Sequence, residues 1–144
     1  MEKNSNQDKK VEKSGLSQKF DRGNVFSDQC PSRNVLKHVT SRWAVLVLLA
    51  LKEGKTHRFS ELRRTINGVS EKMLAQTLQV LEQDGFVLRV SYPVVPPHVE
   101  YSLTEIGLQV SEHVVGLADW IEDNISNILA QTNERVSSDK VVSE

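Results

Sequence analysis

Ser70-Glu-Lys-Met-Leu-Ala-Gln-Thr-Leu-Gln-Val-Leu-Glu-Gln-Asp84 decides the fold. Ser70 is a good helix N-cap, and Gly85 supplies a stop. Met73 stands where a reciprocal capping box needs Glu or Gln, so that device is absent. Leu74, Leu78 and Leu81 recur at helical spacing. At 100° per residue, Leu78 and Leu81 fall within about 40° of Leu74. Lys72, Gln76, Gln79 and Gln83 fall about 140° to 200° away. The spacing therefore predicts an amphipathic helix over residues 70–84, with one face of leucine and the other of three glutamines and a lysine.

Upstream, Phe59, Leu62 and Ile66 have helical spacing, and Asn67-Gly68 makes a tight turn into Ser70. An earlier helix is predicted over the apolar run Trp43–Leu51, capped by Thr40 or Ser41 and closed by Gly54. A short helix before it begins after Cys30, with Pro31 in the first helical position. Downstream, Phe86–Val90 and Val99–Leu103 are rich in β-formers and flank Tyr92-Pro-Val-Val-Pro-Pro-His98. That pattern predicts a hairpin with a proline-stiffened tip.

Thr104 caps a long final helix. Its apolar positions Ile106, Val110, Val114, Leu117, Ile121, Ile125 and Ile128 recur at a mean step of about 3.67. The order is helix, helix, helix, reader-type helix, hairpin, long helix. This outlines a mainly α fold with a small β-hairpin: a winged helix-turn-helix with a long C-terminal dimerisation helix. Residues 1–22 are expected to be a disordered arm, 23–130 the domain, and 131–144 a flexible tail.

Charge is unevenly spread over the 144 residues. Residues 33–91 hold ten Lys/Arg against five Asp/Glu, whereas 100–144 hold two against nine, although the net charge is only −1. A basic middle suits a polyanion such as double-stranded DNA, and equally suits ordinary solvated helix surfaces. The longest apolar run has nine residues, Trp43–Leu51, where about 20 would be needed to span a bilayer. Residues 1–15 carry no signal-peptide core, so no membrane partner and a cytoplasmic location are expected.

Cys30 is the only cysteine, and His38, His57, His98 and His113 are scattered without ligand spacing. No nucleophile–base pair, metal ligand set or phosphate-binding glycine loop is visible, so neither an enzyme nor a cofactor is expected.

Several blocks, taken in order, carry a resemblance. They are Cys30-Pro31, Arg42-Trp43, Arg58-Phe-Ser-Glu-Leu-Arg-Arg64, Val69-Ser-Glu-Lys-Met-Leu74, Leu81-Glu-Gln-Asp-Gly-Phe86 and Pro97-His-Val-Glu-Tyr-Ser-Leu-Thr104. Together the chain resembles the HxlR-type winged-helix regulators, relatives of the MarR group, from about Phe26 to Leu129. One departure is Val39-Thr-Ser-Arg-Trp43, where many relatives have a glycine-rich helix start. The resemblance implies a homodimer on a pseudo-palindromic operator, with the helix from Ser70 in the major groove and the hairpin as a wing.

On this reading Ser70, Lys72, Gln76, Gln79 and Gln83 face DNA. Glutamine can pair with adenine, and lysine can reach guanine or phosphate. Alone, the helix reads more readily as an ordinary solvated surface; the turn, the wing and the family pattern tip it toward DNA. Arg63 and Arg64 are candidate phosphate anchors, and Arg89 on the wing strand a further one. Val110, Val114, Leu117, Trp120, Ile121, Ile125 and Ile128 form the candidate dimer interface.

The resemblance also implies that Cys30, directly before proline, senses oxidants or electrophiles. Free N–H groups at a helix start favour a thiolate, while a buried cysteine is more commonly just a small apolar residue. The alternative function is a winged-helix module that binds protein rather than DNA. The sequence names neither operator nor effector.

Overall fold

The computed structural model describes residues 24–143. The expected arm over residues 1–22 lies outside them. Helix α1 spans Pro31–Thr40, α2 Arg42–Leu51, α3 Phe59–Thr65, α4 Glu71–Gln83 and α5 Glu105–Ser143; the strands are β1 His57–Arg58, β2 Val87–Tyr92 and β3 His98–Leu103.

Four of the five helices have a local reason to begin where they do. Pro31 opens α1 behind Cys30, whose backbone is extended. In α3, the Arg58 backbone N–H donates to the Glu61 carboxylate at 2.9 Å, half of a capping box. Ser70 Oγ accepts the Met73 N–H at 3.1 Å and starts α4 as expected. Thr104 Oγ1 accepts the Gly107 N–H at 3.1 Å and starts α5. At α2 the expectation needs correction. Ser41 stands at the N-cap of α2, but the Ser41 and Thr40 hydroxyls donate backwards, to the carbonyls of His38 and Leu36, and neither makes a side-chain cap bond to the helix. Thr40 ends α1 and Ser41 follows it directly, so the carbonyls of the last α1 turn are the nearer partners.

The apolar faces meet in one core. Val47, Leu48 and Leu51 of α2 pack with Leu62 of α3, the Leu74–Leu78–Leu81 stripe of α4, and Val87, Tyr101 and Leu103 of the sheet. Full burial of a leucine contributes about 1.5–3 kcal/mol, so the α4 stripe alone holds that helix firmly to the domain. The run Trp43–Leu51 is a buried core helix, and no single helix among the described residues is long and apolar enough to cross a membrane.

The hairpin gains a third strand. The sheet order is β1-β3-β2, all antiparallel, with His57 opposite Tyr101 and Arg89 also opposite Tyr101 on the other side. A two-residue strand has no periodicity to read, and β1 exists only because β3 offers it an edge. The hairpin strands are also longer than expected, reaching Tyr92 and His98.

The last helix does not stop near Ala130. It runs to Ser143, through the stretch expected to be a loose tail, and residues 131–137 are exposed throughout. No glycine or proline interrupts that stretch, so nothing local ends the helix where its apolar seam does.

Candidate nucleic-acid interface

The turn between α3 and α4 fixes the candidate site. Ile66 and Val69 are both buried in the core, and the two residues between them must reverse the chain in the open. Gly68 does so with φ +88°, a backbone conformation that side chains disfavour. With its leucines buried, α4 turns Ser70, Lys72, Gln76, Gln79 and Gln83 to solvent, and all five are exposed.

Three grooves flank α4. The largest, about 680 Å³, lies at the turn and is lined by Ser60, Arg63, Arg64, Asn67, Ser70 and Glu71 among others. A second, about 180 Å³, holds Gln76 and Thr77 against Lys37, His38 and Ser41 at the α1–α2 junction. A third, about 260 Å³, holds Gln79 and Glu82 against Arg89 and Tyr101 of the sheet. The polar face of α4 is thus divided. Gln76 looks toward α1 and α2, Gln79 toward the wing, and Lys72 and Gln83 line none of the three.

The arginines are placed unevenly. Arg63 and Arg64 are exposed in the turn groove, but Arg63 Nη1 donates to the Glu71 carboxylate at 3.1 Å. Arg89 shares a sheet face with Val87, whose side chain is in the core, so it stands beside α4 rather than at the wing tip. Pairing also engages His98. The Arg58 guanidinium, which can only donate, meets His98 Nδ1, which therefore accepts; His98 Nε2 faces the Glu100 carboxylate at 3.2 Å. Tyr92 meets the His98 ring edge-on at 5.1 Å, and the Glu100 charge beside it pushes the Tyr92 phenol above its usual pKa. These contacts stiffen the wing toward its tip, on the face away from the core.

Some participants carried no sequence signal. Lys37 and Ser41 lie far from α4 in the chain yet share its second groove. His38 Nδ1 lies 2.6 Å from Asp84 Oδ2 and clamps α1 to the far end of α4. Asn67 served in the sequence only as a turn residue, and here it lines the largest groove.

The candidate interface on α5 splits in two. Val110 and Val114 are half-buried and pack against the domain's own core. Leu117 and Trp120 are each 57% exposed, and Ile121, Ile125 and Ile128 are uncovered beyond them. Cys30 is a free thiol only 4% exposed at the N-cap of α1.

Comparison with known proteins matches residues 38–129 to the HxlR-like helix-turn-helix family. The HTH-type transcriptional regulator YtfH of Escherichia coli (strain K12) is 69% identical over 122 residues, covering 85% of this chain and 96% of the relative. The solved structure of a YtfH transcriptional regulator from Salmonella typhimurium shares 71% identity and a TM-score of 0.73, covering 77% of this chain and 98% of its own. The redox regulator HypR in its reduced form shares 34% identity and a TM-score of 0.64, covering 69% and 98%.

Proposed function

The chain belongs to the HxlR-like helix-turn-helix family of transcription regulators, and from that premise we propose that it binds double-stranded DNA as a homodimer on a pseudo-palindromic operator. In this reading α4 enters the major groove. Lys72 and Gln76 meet base edges near its N-terminal half, with Gln79 and Gln83 farther along. Arg63 and Arg64 anchor phosphates before it, Arg89 anchors beside the wing, and Ser70 starts the helix that carries the readers.

The observation that carries the reading is the exposed polar face of α4, standing free between three grooves while its leucine stripe is buried. The homodimer is supported by the apolar seam Leu117–Trp120–Ile121–Ile125–Ile128, which this domain leaves uncovered. A domain of this kind acts where the DNA is, in the cytoplasm.

Selection from a random duplex pool tests the proposal. The folded protein should enrich a sequence with a dyad, its half-sites about 10 base pairs apart centre to centre or a multiple of that. No enrichment at low salt would overturn it.

A second reading concerns control. Cys30 at the start of α1 is the candidate redox or electrophile sensor, a role favoured by its N-cap position and by the likeness to a redox regulator. Because the thiol is buried, a reagent reaches it only if the segment before α1, or α1 itself, moves. Its test is retention of the enriched duplex with and without diamide, in wild type and Cys30→Ser; equal responses would remove it.

A further inference from the structure

The DNA-facing surface carries a carboxylate that the proposed function does not use. Glu71 is the first residue of α4 and lines the groove at the turn, together with Arg63 and Arg64. Its carboxylate accepts from Arg63 Nη1 at 3.1 Å, which joins α3 to α4 across the turn. Both side chains are largely exposed, so the pair adds little to folding. An acid is also a poor choice for a groove that would otherwise present two guanidinium groups to the DNA backbone.

We propose that Glu71 sets the specificity of this surface, as a positioning residue that holds Arg63 and keeps it from anchoring a phosphate on DNA that α4 does not read, while on the operator Arg63 still reaches its phosphate. The inference rests on the DNA-reading role of α4. Sequence-independent binding draws its affinity from phosphate contacts. With Glu71 in place, drawing Arg63 to a phosphate breaks the pair and leaves a carboxylate beside that phosphate. Random DNA gives nothing in return. On an operator the base contacts of Lys72 and Gln76 fix α4 in one register, and that register sets a phosphate where Arg63 reaches it. Glu71 therefore penalises the wrong sites more than the right one.

The test uses the full-length protein, the duplex enriched by wild type, and a scrambled duplex of equal length, titrated across a range of salt concentrations. Glu71→Gln should bind the scrambled duplex roughly 10-fold more tightly at about 50 mM salt, with a log–log salt slope steeper by about 0.9, the signature of one added phosphate contact. The ratio of enriched to scrambled affinity should fall accordingly. Glu71→Asp, which keeps the charge, should stay near wild type. Adding Arg63→Gln to Glu71→Gln should return the slope on the scrambled duplex to the wild-type value, because Arg63 is the cation released. Thermal melting separates these effects from misfolding. An unchanged slope in Glu71→Gln, or a steeper slope that survives loss of Arg63, overturns the inference while leaving DNA reading intact. If wild type enriches no sequence at all, the DNA reading fails and the inference falls with it.

Discussion

The carbonyl oxygen of Phe86 lies only 2.0 Å from where a Cβ on Gly107 would stand. The same joint is closed by two hydrogen bonds, from Thr104 Oγ1 to the Gly85 carbonyl at 2.6 Å and from the Thr104 N–H to the Phe86 carbonyl at 3.0 Å. The end of α4, the start of β2 and the start of α5 therefore meet at one point. Any side chain at 107 pushes the long helix off the domain.

Gly107→Ala should accordingly destabilise the fold by about 1–3 kcal/mol, the range for forcing extra volume into a packed site. Urea unfolding followed by far-UV circular dichroism measures it. Gly116→Ala, where a Cβ meets nothing within 4 Å, is the control and should unfold at or above the wild-type midpoint.

The bare seam of α5 predicts the oligomeric state. Wild type should sediment at about twice the 16.2 kDa chain mass. A Leu117→Glu, Ile121→Glu double variant should sediment as a single chain without loss of helix, since both residues are exposed in one copy. A wild-type monomer at micromolar concentration would remove the homodimer.

Burial predicts slow chemistry at Cys30. An alkylating reagent should label the native protein far more slowly than the urea-unfolded chain, because the thiol is 4% exposed. If Cys30 is a sensor, diamide should join two chains through a disulfide and alter DNA retention, and Cys30→Ser should show neither effect. Equal labelling rates in the native and unfolded protein would contradict the observed packing.

What could be read from the chain was local. The α4 helix declared itself through Ser70, three leucines at helical spacing and Gly85, and the structure places it at Glu71–Gln83. The turn was equally plain from Asn67-Gly68. Pairings between distant residues were not legible. His38 and Asp84 are 46 positions apart, and neither residue type hints at the other. Strand β1 is two residues long and owes its existence to β3. Glu71 was absent from the expected site because Arg63 lies eight positions before it, across a turn, where no single-helix spacing applies. The α5 seam was visible as a pattern, but periodicity does not say which part serves the domain. Packing assigns Val110 and Val114 to the core and leaves the rest bare.

The most direct measurement is the affinity of Gln76→Ala for the enriched duplex and for the scrambled one. If α4 reads bases, this variant loses about 1–3 kcal/mol, roughly 10- to 100-fold, on the enriched duplex and almost nothing on the scrambled duplex. Lys72→Ala, which also removes a base contact, loses far more on the enriched duplex than on the scrambled one. An enriched-duplex affinity that survives the simultaneous loss of Lys72 and Gln76, in a protein whose fold is intact, would contradict the account.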